Sequence, residues 1–155
     1  MNGLTTTIYL KSEQVPELPG TNFFHSRNLM EICEQTAGHK PYMVVITDED
    51  GNVVSHMLGV IRIRTVWIPP FLIIHCRVMG EGVYSNSNYS KDELFGEMLG
   101  ALTKKLNNRT LFIEVSHLSQ KMLGYKQLRA LKFYPVNWMS IHNSLHSHSP
   151  EERIS

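Results

Sequence analysis

The sequence lacks the features that mark membrane-spanning, secreted or strongly charged proteins. Its longest apolar run, 66–74, is interrupted by two prolines, whereas a membrane helix needs about 20 apolar residues. The opening stretch MNGLTTTIYLKSEQ has no basic segment followed by an apolar block and a cleavage site, so no signal peptide is expected. The formal net charge of +1 argues against a strongly electrostatic nucleic-acid binder, although not against a local basic patch. We therefore expect a cytoplasmic protein without a membrane span.

Cysteine and metal-ligand motifs are equally scarce. Cys33 and Cys76 form no CxxC pair and are expected to be reduced and buried. The 8 histidines include no HExxH motif, and three of them (His142, His146 and His148) lie near a polar C-terminus. Zinc sites need Cys and His at defined spacings, so no metal is predicted.

The chain is long enough for one well-packed domain. With 155 residues and 42% hydrophobic residues, we expect a single domain over 1–146 and a flexible tail over 147–155. Alternation predicts strands, and helical spacing predicts three helices: one over 26–37, one capped by Ser90 and ending near Leu106, and one capped by Ser119. The predicted strands are 5–11, 42–47, 52–67, 71–78, 110–115 and 136–141.

The order of these elements predicts the sheet. Three strands joined by short connections form an antiparallel meander, and the helix between 71–78 and 110–115 makes those two strands parallel neighbours. Strand 71–78 is almost wholly apolar, as expected of a central strand buried on both faces. Ser90 and Glu93 are expected to form a capping box. The expected fold class is α/β (α+β): a mixed, mostly antiparallel sheet of about six strands with about three helices on its faces.

This order resembles the GCN5-related N-acetyltransferase (GNAT) fold without its last strand. Local sequence further resembles one domain of the Fem-type (FemABX) peptidoglycan aminoacyltransferases and their uncharacterised relatives, over most of 20–146. The stretches that carry this resemblance are GTNFFHSRNLMEICEQTAGHKPYMVV, ELFGEMLGALTKKL and EVSHLSQKMLGYKQLRALKFYPVNWMSIHNSLHS. Fem-type proteins contain two such domains and pass an amino acid from aminoacyl-tRNA to an amine of a cell-wall precursor. The resemblance therefore implies acyl or aminoacyl transfer to an amine.

GNAT proteins bind the pyrophosphate of acetyl-CoA on an Arg/Gln-x-x-Gly-x-Gly/Ala loop at the mouth of a helix. Arg77, Gly80 and Gly82 fit that pattern and are the predicted cofactor-binding residues. The predicted helix cap, Ser90, lies well beyond Gly82, so the glycine amides and the helix dipole are not expected to act together. We therefore expect acetyl-CoA to bind weakly or not at all. The alternative for the motif is a glycine turn that leads into a surface loop.

Acyl transfer to an amine needs a base and groups that stabilise an oxyanion. In GNAT sheets two neighbouring strands separate and admit the substrate carbonyl, and the matching strands here are 71–78 and 110–115. Glu81 follows the first, and Glu114 and His117 lie at the end of the second, so these three are the predicted catalytic residues. His75 lies within the first strand. The alternatives are an exposed carboxylate for Glu81 and helix-capping or ion-paired roles for Glu114 and His117.

Two further interpretations concern partners. Basic residues in several predicted elements could contact RNA, including aminoacyl-tRNA, but they also suit solvated faces. Strand 136–141 is expected at an open sheet edge, because the polar segment after it makes a poor strand. We therefore expect a homodimer or a second GNAT-like domain against that edge. The alternative function is a non-catalytic GNAT-like half that serves binding or assembly with a second domain or subunit.

Overall fold

The computed structural model describes residues 3–69, 71–85, 89–116, 118 and 123–136, and structural statements refer to these residues. Six strands and three α-helices are present within them, which confirms the predicted fold class. Two 3-10 turns, Ser12–Gln14 and Phe23–His25, precede the first helix. The strands are β1 Thr5–Tyr9, β2 His39–Thr47, β3 Val53–Thr65, β4 Leu72–Met79, β5 Val83–Tyr84 and β6 Phe112–Ser116. The helices are α1 Arg27–Gln35, α2 Lys91–Leu106 and α3 Tyr125–Ala130.

One mixed sheet contains all six strands, in the order β1-β2-β3-β4-β6, with β5 paired to β3. The pairs from β1 to β4 are antiparallel, as the short connections predict. Strand β6 pairs with β4 in parallel after the α2 crossover, which confirms the predicted parallel neighbours. Among the described residues, β6 therefore stands at the edge of the sheet beside β4.

The short strand β5 was missed by the sequence prediction. Val78 of β4 pairs with Gly59, and Tyr84 of β5 pairs with Ser55, so both follow the same strand β3 in the same direction. Residues 80–82 between them form a bulge. We name this segment, Gly80–Glu81–Gly82, the glycine bulge. Both of its glycines have φ of +97°, a conformation that residues with a Cβ rarely adopt.

Helix α2 packs one face of the sheet into the main core. Its fully buried side chains contact apolar residues of β2, β3 and β4, including Ile61 and Val78. On the other face, α1 and the first 3-10 turn cover a smaller cluster. That cluster consists of Val15, Met30, Met43, Val45 and Leu58. Cys33 and Cys76 are free and buried, as expected, and burial raises the pKa of Cys76 to about 12.

Helix starts agree with the sequence only in part. The Ser26 hydroxyl accepts the N–H of Leu29 and caps α1 at the start of the predicted helix over 26–37. Ser90 precedes α2, but its side chain makes no cap hydrogen bond, so the predicted capping box is wrong. Helix α3 begins after Gly124, and Ser119, the predicted cap, lies outside the described residues. Gly124 has a left-handed backbone, and its N–H donates to Asp92 Oδ1 at 2.6 Å.

Two strand predictions also differ from the structure. Strand β2 begins at His39 and includes Pro41, because β1 pairs only as far as Met43 and leaves that part of β2 with an open edge. Strand β4 is not buried on both faces along its whole length, since Leu72 is 46% exposed at its start. Of the predicted strand 136–141, Val136 has no strand structure, and the remainder lies outside the described residues, as does the predicted tail over 147–155.

Candidate functional site

The sheet face on the α1 side carries polar side chains where α1 does not cover it. Pairing across β3, β4 and β6 brings Arg62 beside His75, and His75 beside Phe112. Two residues further along these strands, Arg77 lies beside Glu114. Because alternate strand residues share a face, these side chains form one surface. We call this surface, made by Arg62, His75, Arg77, Phe112 and Glu114, the polar face.

His75 is the most buried polar residue of this face. Its side chain is 9% exposed, and its ring stacks on Phe112 with centroids 5.2 Å apart and an interplanar angle of 16°. The Nδ1 atom has no hydrogen-bond partner among the described residues. Burial lowers the pKa of His75, and Arg62 lowers it further, while the nearby Glu114 acts in the opposite direction. The ring is therefore neutral near pH 7.

Arg77 and Glu114 form an ion pair across β4 and β6. The Arg77 Nε atom lies 3.5 Å from Glu114 Oε1, and the two side chains are 34% and 26% exposed. The geometry is not that of a hydrogen bond, so the buried Nε atom has no hydrogen-bond partner among the described residues. Both side chains therefore remain partly exposed.

A cavity of about 200 Å³ adjoins the polar face beneath α1. Arg62 and Arg77 contribute its cationic side, and His39 also lines it. Its apolar lining is Phe24, Leu29, Cys33, Leu58, Val60 and Met79. A second, more open depression of about 370 Å³ lies between α2 and α3, away from these groups. The first cavity combines an apolar wall with convergent polar groups, as small-ligand sites do.

Of the two predicted catalytic residues that the structure describes, Glu114 and Glu81, one lies on the polar face. Glu114 lies there, whereas Glu81 lies in the glycine bulge, close enough for its charge to affect the half-buried Tyr84 and the buried His25. Tyr84 donates its hydroxyl to the Glu81 carbonyl oxygen at 2.6 Å, and burial and then Glu81 raise the pKa of Tyr84. His117 lies outside the described residues.

Both glycines of the predicted cofactor loop direct their amides into the protein. The Gly80 N–H donates to the Ser116 carbonyl oxygen at 2.7 Å. The Gly82 nitrogen lies 3.2 Å from His25 Nε2, so its N–H faces that ring. A Cβ on Gly82 would lie 2.8 Å from the His56 carbonyl oxygen. The glycines thus serve the close approach of the bulge to its neighbours, and α2 begins later, at Lys91.

The two strands expected to separate stay together. Strands β4 and β6 pair from His75 with Phe112 to Met79 with Ser116, and the Gly80 amide continues the ladder to Ser116. The expectation of a gap between them is therefore wrong over the described residues. The stacked rings of His75 and Phe112 and the ion pair of Arg77 span both strands and favour this continuous pairing.

Sequence reasoning missed the buried histidine pair beside the glycine bulge. His25 is fully buried in the second 3-10 turn, and its Nδ1 accepts the N–H of Leu58 at 3.0 Å. Burial lowers the pKa of His25 to about 4, and the neighbouring His56 adds to the effect. Burial likewise lowers the pKa of His56 to about 4. A lone histidine that follows two phenylalanines gives no sequence signal of such burial.

Metal clusters and membrane-spanning helices are both absent from the part of the chain that the structure describes. Within the described ranges, no three His, Cys, Asp or Glu residues lie close enough together to hold a metal ion. In the same part of the chain, no helix has the length and apolar character needed to cross a membrane.

No protein-family model matches the chain, and no curated protein matches it significantly. Solved structures do match. The ribosomal-protein-alanine N-acetyltransferase from Brucella melitensis biovar Abortus 2308 is 12% identical, with a TM-score of 0.52 over 92% of this chain and 99% of that one. Aminoglycoside 6'-N-acetyltransferase AAC(6')-Ih from Acinetobacter baumannii is 11% identical, with a TM-score of 0.53 over 92% and 98%. A mutant of the BH1408 protein from Bacillus halodurans is 7% identical, with a TM-score of 0.57 over 77% and 74%.

These structural similarities define the fold as GNAT-like. The identities are low, so they support the architecture and leave activity to be argued from the site. None of the three structures is of the Fem type, and that finer resemblance stays a prediction.

Proposed function

We propose that this chain is an acyl- or aminoacyltransferase-type domain acting on an amine, similar to the Fem-type aminoacyltransferases. The observation that carries the proposal is the polar face of a GNAT-like sheet, where the neutral His75 and the Glu114 carboxylate lie on adjacent strands. A cavity of about 200 Å³ adjoins this face and gives a small acceptor room to approach.

The residues of the polar face suit the proton and charge changes of acyl transfer. The acceptor nitrogen bonds to the acyl carbon, the bond to the donor oxygen breaks, and the proton that the amine loses passes to the departing oxygen, which leaves as a hydroxyl. A neutral His75 can take that proton, since its lowered pKa leaves it unprotonated near pH 7. Arg77 is placed to stabilise the oxyanion that forms on the acyl group. Glu114 holds Arg77 in position through their ion pair.

The donor in this proposal is an aminoacyl ester, as in aminoacyl-tRNA, rather than acetyl-CoA. The Gly80 amide already bonds Ser116, and the Gly82 amide faces His25, so neither points outward to a pyrophosphate. The N-terminus of α2 lies beyond β5, and its partial positive charge cannot act together with those amides.

The test is a transfer assay on the whole chain, read by mass spectrometry. We expect an amide product when a cell-wall precursor amine is incubated with aminoacyl-tRNA, and none with acetyl-CoA. His75→Gln should reduce the rate by about a hundredfold, the loss typical of a missing general base. Lys104→Gln, on the exposed side of α2, is the matched control and should leave the rate unchanged. A product with acetyl-CoA, or none with either donor, would refute the proposed activity.

A second candidate is a non-catalytic half that binds or assembles with another domain or subunit. The uninterrupted pairing of β4 with β6 favours it, because no gap for a substrate carbonyl opens between their described residues. Strand β6 also leaves one edge without a neighbouring strand in the described part of the sheet. A second copy, or a second GNAT-like domain, would cover such an edge. Sedimentation equilibrium of the whole chain tests the homodimer, and a monomer at high concentration would rule it out.

A further inference from the structure

We infer that the groove formed by the polar face and the cavity beneath α1 binds a small ligand with an oxyanion, a carboxylate or phosphate, on an apolar body. The inference deepens the proposed function, because in that function the ligand is the amine-bearing acceptor. It names a property that an amine acceptor need not have, namely a negative charge at the arginine end of the groove.

The charges around the groove favour an anion. The pKa of His75 is affected by the charges of three guanidinium groups, those of Arg62, Arg64 and Arg77, and of one carboxylate, that of Glu114. Of these three arginines, Arg77 is the one whose ion pair with a carboxylate is seen among the described residues. A polycationic ligand would meet repulsion at this surface, whereas an oxyanion would find donors in a fixed planar geometry.

A buried hydrogen-bonding group without a partner among the described residues lies next to Arg62, on the neighbouring strand. His75 is more than nine-tenths buried, and its Nδ1 makes no hydrogen bond to any residue that the structure describes. Buried polar atoms are rarely left without a partner in folded proteins, because desolvation without a hydrogen bond is costly. An oxyanion held by Arg62 would lie beside His75, which is the cross-strand partner of Arg62.

The rest of the groove selects the body of the ligand. Phe24, Leu29 and Val60 contribute apolar surface to the cavity of about 200 Å³, while Arg62 and Arg77 stand at its polar side. That volume is below the range of about 300–1,000 Å³ typical of drug-sized ligands, so the ligand is small. A short apolar chain that ends in a carboxylate or phosphate matches both parts of the groove.

The experiment is isothermal titration of the whole chain with hexanoate, hexyl phosphate, inorganic phosphate and hexylamine. We expect hexanoate or hexyl phosphate to bind, and the tighter of the two identifies the oxyanion. Inorganic phosphate should bind more weakly than hexyl phosphate, because it leaves the apolar wall unfilled. Hexylamine should not bind. Absence of binding by both hexyl acids, or equal binding of hexylamine, would overturn the inference.

Two variants test whether the acid binds in the groove. Arg62→Gln should weaken binding of the tighter acid about tenfold, as expected for a lost charged hydrogen bond, while Lys104→Gln removes the same charge elsewhere and should have no effect. Equal effects of the two variants would contradict the inference. Arg62 is half-buried and is not part of the ion pair with Glu114, so thermal unfolding can confirm that its variant folds. Transfer activity without acid binding would refute this inference alone, and acid binding without transfer would refute only the proposed activity.

Discussion

The two faces of the sheet are built differently, although the same strands supply both. On the α2 side, Leu94, Phe95, Met98, Leu99 and Leu102 are fully buried against apolar strand residues. On the α1 side the apolar cluster is smaller, and a buried histidine pair and the polar face adjoin it. The first face is suited to stability, since apolar burial is the main favourable contribution to folding. The second keeps hydrogen-bonding groups available for a ligand.

Acid should distinguish the two faces most strongly, because the buried histidines lie on the α1 side. His25 and His56 have pKa values of about 4 in the folded chain, against 6.5 for an ordinary histidine. The unfolded chain therefore binds more protons between those values, so stability is full above pH 6.5 and falls as the pH decreases to 4. The expected loss is about 3 kcal/mol for each histidine. Urea unfolding across this range measures it.

Two variants provide the controls for the acid experiment. His56→Gln removes one of the two titrating groups, so the pH dependence between 6.5 and 4 should fall to about half. Ile32→Ala removes an exposed side chain that carries no titratable group and should leave that dependence unchanged. A stability that stays constant from pH 6.5 to 4 would contradict the burial of the pair.

Shortening a buried side chain on the α2 side of the sheet should have the next largest effect on stability. Leu99 is fully buried between α2 and the sheet, so Leu99→Ala should cost about 2–5 kcal/mol of unfolding free energy. Ile32→Ala, on the 52% exposed side chain of α1, is the control and should cost less than about 1 kcal/mol. Equal losses in urea unfolding would mean that the faces do not differ in packing.

Some of the structural features behind these effects could be predicted from the sequence, and others could not. The spacing of Leu94, Met98, Leu99 and Leu102 identified the buried face of α2, since one helical stripe packs against one sheet. Alternation along β3 likewise separated Ile61 from Arg62, because successive side chains point to opposite faces. Such repetitive patterns predict the buried face reliably, because several residues at the same spacing indicate the same face.

The direction of the amides in the glycine bulge could not be predicted from such patterns. Its residues fit a phosphate-binding pattern, and the pattern does not say whether an amide points outward or toward Ser116 and His25. That direction depends on contacts between distant segments. The stacking of His75 on Phe112 is also long-range, so the sequence analysis named Glu114, and not His75, among the predicted catalytic residues.

Substitution in the glycine bulge should have an intermediate effect on stability, and it tests the structural role of the bulge. Gly82→Ala should destabilise the chain by about 1–3 kcal/mol, because φ is +97° and the new Cβ would press on the His56 carbonyl oxygen. Gly51 also has positive φ, +82°, but no described atom lies within 4 Å of the position that a methyl group would take there, so Gly51→Ala should cost less. Equal costs in thermal or urea unfolding would remove the packing explanation.

The smallest effect on stability should come from the polar face. Glu114→Gln breaks an ion pair whose members are 26% and 34% exposed, and exposed pairs contribute about 0–1 kcal/mol. We therefore expect a loss below about 1 kcal/mol in urea unfolding. A loss as large as that of Leu99→Ala would show that this face is structural rather than available for a ligand.

The most direct test of the distinction between the polar face and the glycine bulge is an NMR titration of the ¹⁵N-labelled chain with coenzyme A. Because the Gly80 amide bonds Ser116 and the Gly82 amide faces His25, their signals should not move as coenzyme A is added. Saturable shifts of both glycine amides at micromolar coenzyme A, together with shifts at the start of α2, would contradict the internal role of the bulge.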